Sequence, residues 1–285
     1  MRNFLNVLNL LLFCDKIIDE FSLGGRYEMK LYIFGSCSGT EPERGRRHTA
    51  LAIEINGRYY WFDAGEGCSY TAHLMGVDLL AVSEVFISHT HMDHVGGLGN
   101  LLWNVRKLAV VRRERPRYGD LTVYLPNLST FDGIMTVLKN TEGGFNTKYG
   151  NFAKRIEDGI IFKNGDIEVE ALHNAHLPRG EDGWLSYSFV IRAEGKTLIY
   201  SGDLGDFEDL AMPLSEGCDL LLMETGHHSA ESVCKRIEEG GLAVKKLFFI
   251  HHGREILDAG DDVLRRCRAV RPDVVFCNDE DVFEI

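Results

Sequence analysis

The sequence predicts an α/β domain built from two packed sheets with helices outside. Strand-like apolar runs alternate with segments of helical spacing along the chain, and the first part is rich in hairpin signals. A length of 285 residues with 45% hydrophobic content suffices for one sizeable core, as one large domain or two small ones. No repeat of solenoid spacing, low-complexity linker or domain boundary follows residue 29.

The elements follow in order. Residues 30–35 form the first clean strand. Residues 36–47 form a loop rich in Gly, Ser and charge, with Arg44, Arg46, Arg47 and His48 at its end. Residues 49–55 and 58–62 are strands joined by Asn56-Gly57, a tight turn because both residues tolerate positive φ. Asp63-Ala64-Gly65-Glu66-Gly67 breaks the second strand and leads into a helix over 69–75. Val85-Phe86-Ile87 reads as a buried strand, and a helix follows over 98–107. Residues 121–125 are a strand, 131–138 a helix and the Gly- and Asn-rich stretch 142–151 a loop. A strand over 166–172 ends at His173 and His176, and 186–192 pairs with 197–201 in a hairpin over Gly195. The short runs 220–223, 247–250 and 274–276 are strands separated by helix-like segments.

Residues 1–28 stand apart from the domain expected over 29–285. Arg2 and the apolar stretch 4–13 loosely resemble a signal peptide, yet Asn6 and Asn9 interrupt the stretch and it is too short to span a bilayer. Two readings compete: an amphipathic helix packed on the domain, or a leader upstream of a functional start at Met29. No membrane association is expected. Seven cysteines, an odd number without a Cys-x-x-Cys pair, argue against a disulfide framework and point to reduced thiols in a cytoplasm. A net charge of −12 argues against general attraction to nucleic acid. Any polyanion would need a local patch such as 106–117, with six basic residues and one acid.

The chemistry concentrates in Ser88-His89-Thr90-His91-Met92-Asp93-His94. Three imidazoles and one carboxylate within six residues are the ligand types and density that zinc-like ions use. The cluster lies between a strand and a helix, on a tight loop where His89 and His91 can face one way and Asp93 and His94 another. Further candidates recur at strand ends: His176 after 168–172, Asp203 after Ser201-Gly202, and His251 after 247–250. Together they complete a two-ion site, with His89, His91 and His176 on one ion, Asp93, His94 and His251 on the other, and Asp203 on both. His173 and His252 compete for two of these positions. Two ions would make a bridging water into hydroxide at neutral pH. An acid–base group for the leaving group is sought in Gly226-His227-His228-Ser229-Ala230-Glu231, where His228 is the candidate. Arg46 and Arg47 are the candidate substrate contacts.

These residues resemble those of metallo-β-lactamase-fold hydrolases. The matching positions are His89-x-His91-x-Asp93-His94, His176, Ser201-Gly202-Asp203, His251 and the strand-end Asp63-Ala64-Gly65. Gly65-Glu66-Gly67, Asp93-His94-Val95-Gly96-Gly97-Leu98 and His228-Ser229-Ala230 are most similar to the ribonuclease Z and phosphodiesterase branch. The resemblance implies a four-layer αββα sandwich of two mixed sheets, metals at one sheet edge and a late histidine that assists proton transfer. The flexible tRNA-gripping insertion of long-arm ribonucleases has no counterpart, nor has the Cys-rich zinc site of some phosphonate-pathway phosphodiesterases.

The expected function is a dinuclear phosphodiesterase with two divalent ions, Zn²⁺ first and Mn²⁺ or Fe²⁺ as alternatives. Its substrate would be a small cyclic or nucleotide-like phosphodiester or an RNA 3′ end, and a homodimer stays open as its assembly. Asp93 would serve as ligand and orienter of the nucleophile. Two alternatives are carried: a carboxylic ester, lactone or thioester hydrolase on the same site, and a non-catalytic metal-dependent binding protein.

Overall fold

The computed structural model describes residues 29–141 and 144–285. The 1–28 extension, including the apolar stretch 4–13, lies outside the described residues. Two seven-stranded sheets face each other among these residues. The first contains β1 (Lys30–Gly35), β2 (Ala50–Ile55), β3 (Arg58–Phe62), β4 (Val82–Phe86), β5 (Leu121–Leu125) and β6 (Asn151–Arg155). The second contains β7 (Gly159–Lys163), β8 (Ile167–His173), β9 (Tyr187–Ala193), β10 (Lys196–Tyr200), β11 (Cys218–Thr225), β12 (Val244–His252) and β13 (Val275–Phe276). The last strand, β14 (Val282–Glu284), returns to the first sheet beside β1.

The two sheets share one plan. Strands β14-β1-β2-β3 are antiparallel and β3-β4-β5-β6 parallel. Likewise β7-β8-β9-β10 are antiparallel and β10-β11-β12-β13 parallel. Parallel neighbours all end on the same side of a sheet, and ligand sites form beyond those carboxyl ends.

Residue alternation explains the layers. Tyr60 and Phe62 enter the core between the sheets, while Trp61 faces the outer helices. Phe86 points inward and Val85 outward, as do Leu222 and Leu221. A strand with both faces buried needs apolar residues at nearly every position, as these runs have. Outside the first sheet lie α1 (Cys68–Leu74), α2 (Met92–Val95), α3 (Leu98–Arg112) and α4 (Leu128–Lys139). Helix α3 buries Leu98, Leu101, Leu102 and Val105, one stripe at helical spacing. Outside the second sheet lie α5 (Ala211–Ser215), α6 (Ala230–Glu239) and α7 (Arg254–Val270). Three apolar cores separate four layers, which is the αββα sandwich expected.

Some boundaries differ from the sequence reading. Asn151 opens β6 rather than closing a loop, and β7 and β14 were not anticipated. All three are only partly buried, so their sequences lack clean apolar alternation and their pairing comes from neighbouring strands. Helix α4 starts at Leu128 because the Asn127 side chain accepts the Ser129 N–H at 3.1 Å. No helix of the described residues is long and apolar enough to cross a membrane.

Phe86 is fully buried between the sheets, stacked on Phe62 and Tyr124 with centroids 5.0 Å from each, and ends the strand that leads to the His-rich loop. Phe86→Ala is therefore expected to destabilise the fold by roughly 3–5 kcal/mol, measured by denaturant unfolding.

Candidate metal centre

The histidines and aspartates converge where the parallel strands of both sheets end. β4 delivers His89, followed by His91, Asp93 and His94 at the start of α2. β8 ends three residues before His176, β10 three residues before Asp203, and β12 carries His251. The two sheets are joined here by the Tyr187 N–H, which donates to the Ser88 carbonyl at 3.0 Å. His89, His91, His176 and Asp203 form one group, and Asp93, His94, His251 and Asp203 another, with the potential ligand atoms of each within 4.8 Å of one another.

Asp203 faces both groups with different oxygens. Its Oδ2 lies 3.7 Å from Nε2 of both His89 and His176. Its Oδ1 lies 3.2 Å from Nε2 of both His94 and His251. Asp93 Oδ2 completes the second group at 3.2 Å from His251 Nε2 and 3.5 Å from His94 Nε2. Ligand atoms about 2.0–2.1 Å from a tetrahedral zinc stand roughly 3.3 Å apart, the scale of these separations. His94 Nε2 and Asp203 Oδ1 are buried with no hydrogen-bond partner, which a shared cation would remedy. The donor set therefore fits divalent metal ions.

A supporting layer fixes the rings. Asp63, fully buried, accepts from His94 Nδ1 at 2.8 Å, Ser88 N at 2.7 Å, Ser88 Oγ at 2.8 Å and Tyr200 Oη at 2.6 Å. This bond holds the His94 proton on Nδ1 and turns Nε2 to the site. Glu224, also fully buried, accepts from His227 N at 2.8 Å and lies 3.8 Å from His251 Nδ1. Asp63 and His251 both adopt positive φ, 53° and 54°, a conformation that costs a residue with a side chain about 1–2 kcal/mol.

Electrostatics agree with a site suited to cations. Burial alone would depress the His94 imidazole, but the Asp203 and Asp63 carboxylates hold its pKa well above the ordinary value. Burial likewise opposes the protonated form of His251, yet Asp203, Asp93 and Glu224 raise it to about 9. Burial opposes the ionised carboxylates as well, and the neighbouring imidazoles nevertheless keep Asp93 and Asp203 far below the usual range. Burial, with His94 beside it, drops His89 well below its ordinary value, and burial lowers His176. Burial would raise Glu224, but the hydrogen bond from His227 and the nearby His251 imidazole lower it to about 2.

The competing histidines are placed elsewhere. His173 bonds to Asp158 at 2.7 Å and stacks on Trp184, and His252 bonds to Thr225 and to the Cys277 carbonyl. The three substrate-side candidates are placed as follows. Arg46 is drawn into the fold, donating to Ser36 Oγ at 2.7 Å and the Cys277 carbonyl at 3.4 Å, while Ser36 donates to Asp279. Arg47 is exposed and donates to the Arg46 carbonyl, with its aliphatic stem over Gly67. The cleft is lined by His227, and His228 does not line it; His228 Nε2 lies 3.6 Å from Glu224 Oε1. The basic run 106–117 stays clear of the cleft: Arg112 and Arg117 pair with Asp78, and the cavity it lines shares no residue with the metal cleft.

The cleft, about 430 Å³, is lined by Asp93, Asp203, His91 and His251 together with Gly39, Gly226, Gly253 and Arg254. Sequence reading missed Glu224 and Arg254. Glu224 is a single carboxylate at the end of the apolar run 220–223, a signal that could have singled it out.

Fold and site together define a metallo-β-lactamase fold with a candidate two-ion centre. Within that fold the chain belongs to the family described as anti-Pycsar protein Apyc1, whose model matches residues 29–234. It is similar to ribonuclease Z of Picrophilus torridus, 26% identical over 79% of this chain and 86% of the relative, and to ribonuclease BN of Escherichia coli O1:K1, 25% identical over 90% and 100%. Among solved structures it is similar to YhfI from Bacillus subtilis, a metallo-β-lactamase fold protein (TM-score 0.69, 16% identity, 90% of this chain and 100% of that one). It is also similar to the short form of human tRNase Z (TM-score 0.65, 18% identity, 90% and 99%).

At neutral pH, without metal, the raised pKa values keep His94 and His251 protonated. A bound cation must displace those protons, so zinc binding should release protons and weaken as pH falls. Calorimetric titrations of the metal-free protein with zinc, in buffers of different ionisation enthalpy, are expected to show proton release near pH 7.

Proposed function

We propose that this protein is a dinuclear zinc phosphodiesterase acting on a small cyclic or nucleotide-like phosphodiester or an RNA 3′ end. One observation carries the reading: a single buried carboxylate, Asp203, presents one oxygen to each of two imidazole-rich groups. A pair of divalent cations there supplies an activated water and neutralises charge on the phosphoryl oxygens. The nuclease names of the curated relatives support a phosphoester substrate. So does the cleft, whose lining among the described residues holds polar side chains and glycines and no large apolar group for an acyl chain. That lining weighs against the ester, lactone or thioester reading. The intact ligand set weighs against a non-catalytic binder.

The chain's own residues have defined tasks in this reading. Asp93 orients the nucleophile, since its carboxylate lies at the cleft surface between His94 and His251. His227 holds the proton for the leaving group. Its Nδ1 bonds to Glu224 Oε1 at 3.2 Å, and this hydrogen bond raises its pKa. Its ring stands 4.8 Å from that of His176, so it borders the ligand set without belonging to the bridged pair. His228, expected in this role from the sequence, contacts the same Glu224 from outside the cleft lining and becomes the comparator.

The functional unit in this reading starts at Met29. Its side chain is buried, its carbonyl accepts the Ile285 N–H at 2.9 Å, and the family match begins there. A cytoplasmic setting is supported by six buried free thiols among the described residues.

Leaving-group dependence tests the assignment. His227→Ala should lower kcat by about 10²–10⁴ on an alkyl phosphodiester and far less on a nitrophenyl diester, whose leaving group needs no proton. Bound zinc should be retained. His228→Ala should be milder on both. An equal loss on good and poor leaving groups would remove His227 from the role, and a larger, leaving-group-dependent loss in His228→Ala would return it to His228.

A further inference from the structure

We propose that Arg254 is the cleft's contact for the anionic oxygens of the substrate, and that Glu41 and Glu43 occupy it until substrate displaces them. The proposal rests on the phosphodiester reading for the nature of that anion. It starts from the cleft glycines that pack against the metal ligands. A Cβ on Gly39 would stand 2.9 Å from Asp93 Oδ2, and one on Gly226 would stand 2.6 Å from His251 Nδ1. Those positions must stay bare, so neither can carry a side chain that recognises a substrate.

Among the described residues that line the cleft, Arg254 carries the only guanidinium or ammonium group. It is the first residue of α7, whose opening turn is set off by a kink at Ala259. A guanidinium fork matches two phosphoryl oxygens at once.

The same guanidinium is already engaged. It bonds to Glu43 Oε1 at 2.7 Å, makes a short contact with Glu41 Oε2, and lies 3.8 Å from Asp258 Oδ1. Glu41 and Glu43 follow directly on Ser38-Gly39-Thr40, the loop that walls the cleft. The carboxylates thus sit where a substrate anion would bind. Arg254 and Glu41 are 43% and 71% exposed, and pairs this exposed hold weakly enough to be exchanged. A substrate with one anionic group trades places with the carboxylates. A polyanion brings further charges against Glu41, Glu43 and Asp258, so the arrangement disfavours it.

The test uses the full, zinc-loaded chain with inorganic phosphate as a binding probe and bis(4-nitrophenyl) phosphate as substrate. Arg254→Ala should raise the phosphate Kd and the KM about tenfold, the scale of one lost charge-assisted contact, with kcat changed far less. Arg254→Lys should fall between. The exposed double variant Glu41→Gln/Glu43→Gln should instead tighten phosphate roughly threefold and narrow the discrimination against a short oligonucleotide. Unchanged phosphate affinity in Arg254→Ala would overturn the proposal. So would a glutamine double variant that binds phosphate more weakly, because the carboxylates would then only brace the loop. If phosphate binding follows the prediction and no diester is cleaved, Arg254 keeps its assignment and the phosphodiesterase reading falls.

Discussion

The Asp203 carboxylate is the constraint on which the rest of this structure depends. It is 2% exposed, and an ionised carboxylate that deep is tolerated only with charge of opposite sign beside it. Protonated His94 and His251 supply that charge beside one oxygen, while His89 and His176, whose pKa values burial lowers, face the other. Protons on His94 and His251 balance it without metal, and cations can take over the same task. Either state needs the rings held in place, which explains the buried Asp63 and Glu224 behind them.

The fold makes this convergence possible through its repeated plan. Each sheet runs antiparallel and then parallel, and the parallel halves end together at one edge of the sandwich. Loops leaving β4, β8 and β10, and β12 itself, meet there. The chain accepts unfavourable backbone at two of these ends, Asp63 and His251, with positive φ. Apolar layers on both sides of the strands supply the stability that holds those residues in position.

Much of this was legible in the sequence, for identifiable reasons. The buried strands around Trp61, Phe86 and Leu222 announce themselves because both their faces are apolar. The His-rich loop does so because ligand-type residues at that density have few other uses. The edge strands β6, β7 and β14 were not legible, since partial burial leaves no periodic pattern. The ring chosen from His227-His228, and the fates of Arg46 and Arg254, depend on contacts across long sequence distances. Arg46 is captured by Ser36 and by the carbonyl of Cys277, 231 residues away, and Arg254 reaches the cleft beside a loop more than 210 residues earlier. Local composition carries no trace of such contacts.

The bridging role of Asp203 is tested most directly by counting metals. Elemental analysis of the purified wild type and of Asp203→Ala, each loaded with zinc and desalted, should give about two ions per chain for the wild type. The variant should lose most of its metal, and with it the metal-dependent rise in thermal stability. Full metal content in Asp203→Ala, together with full turnover, would contradict the two-ion bridge.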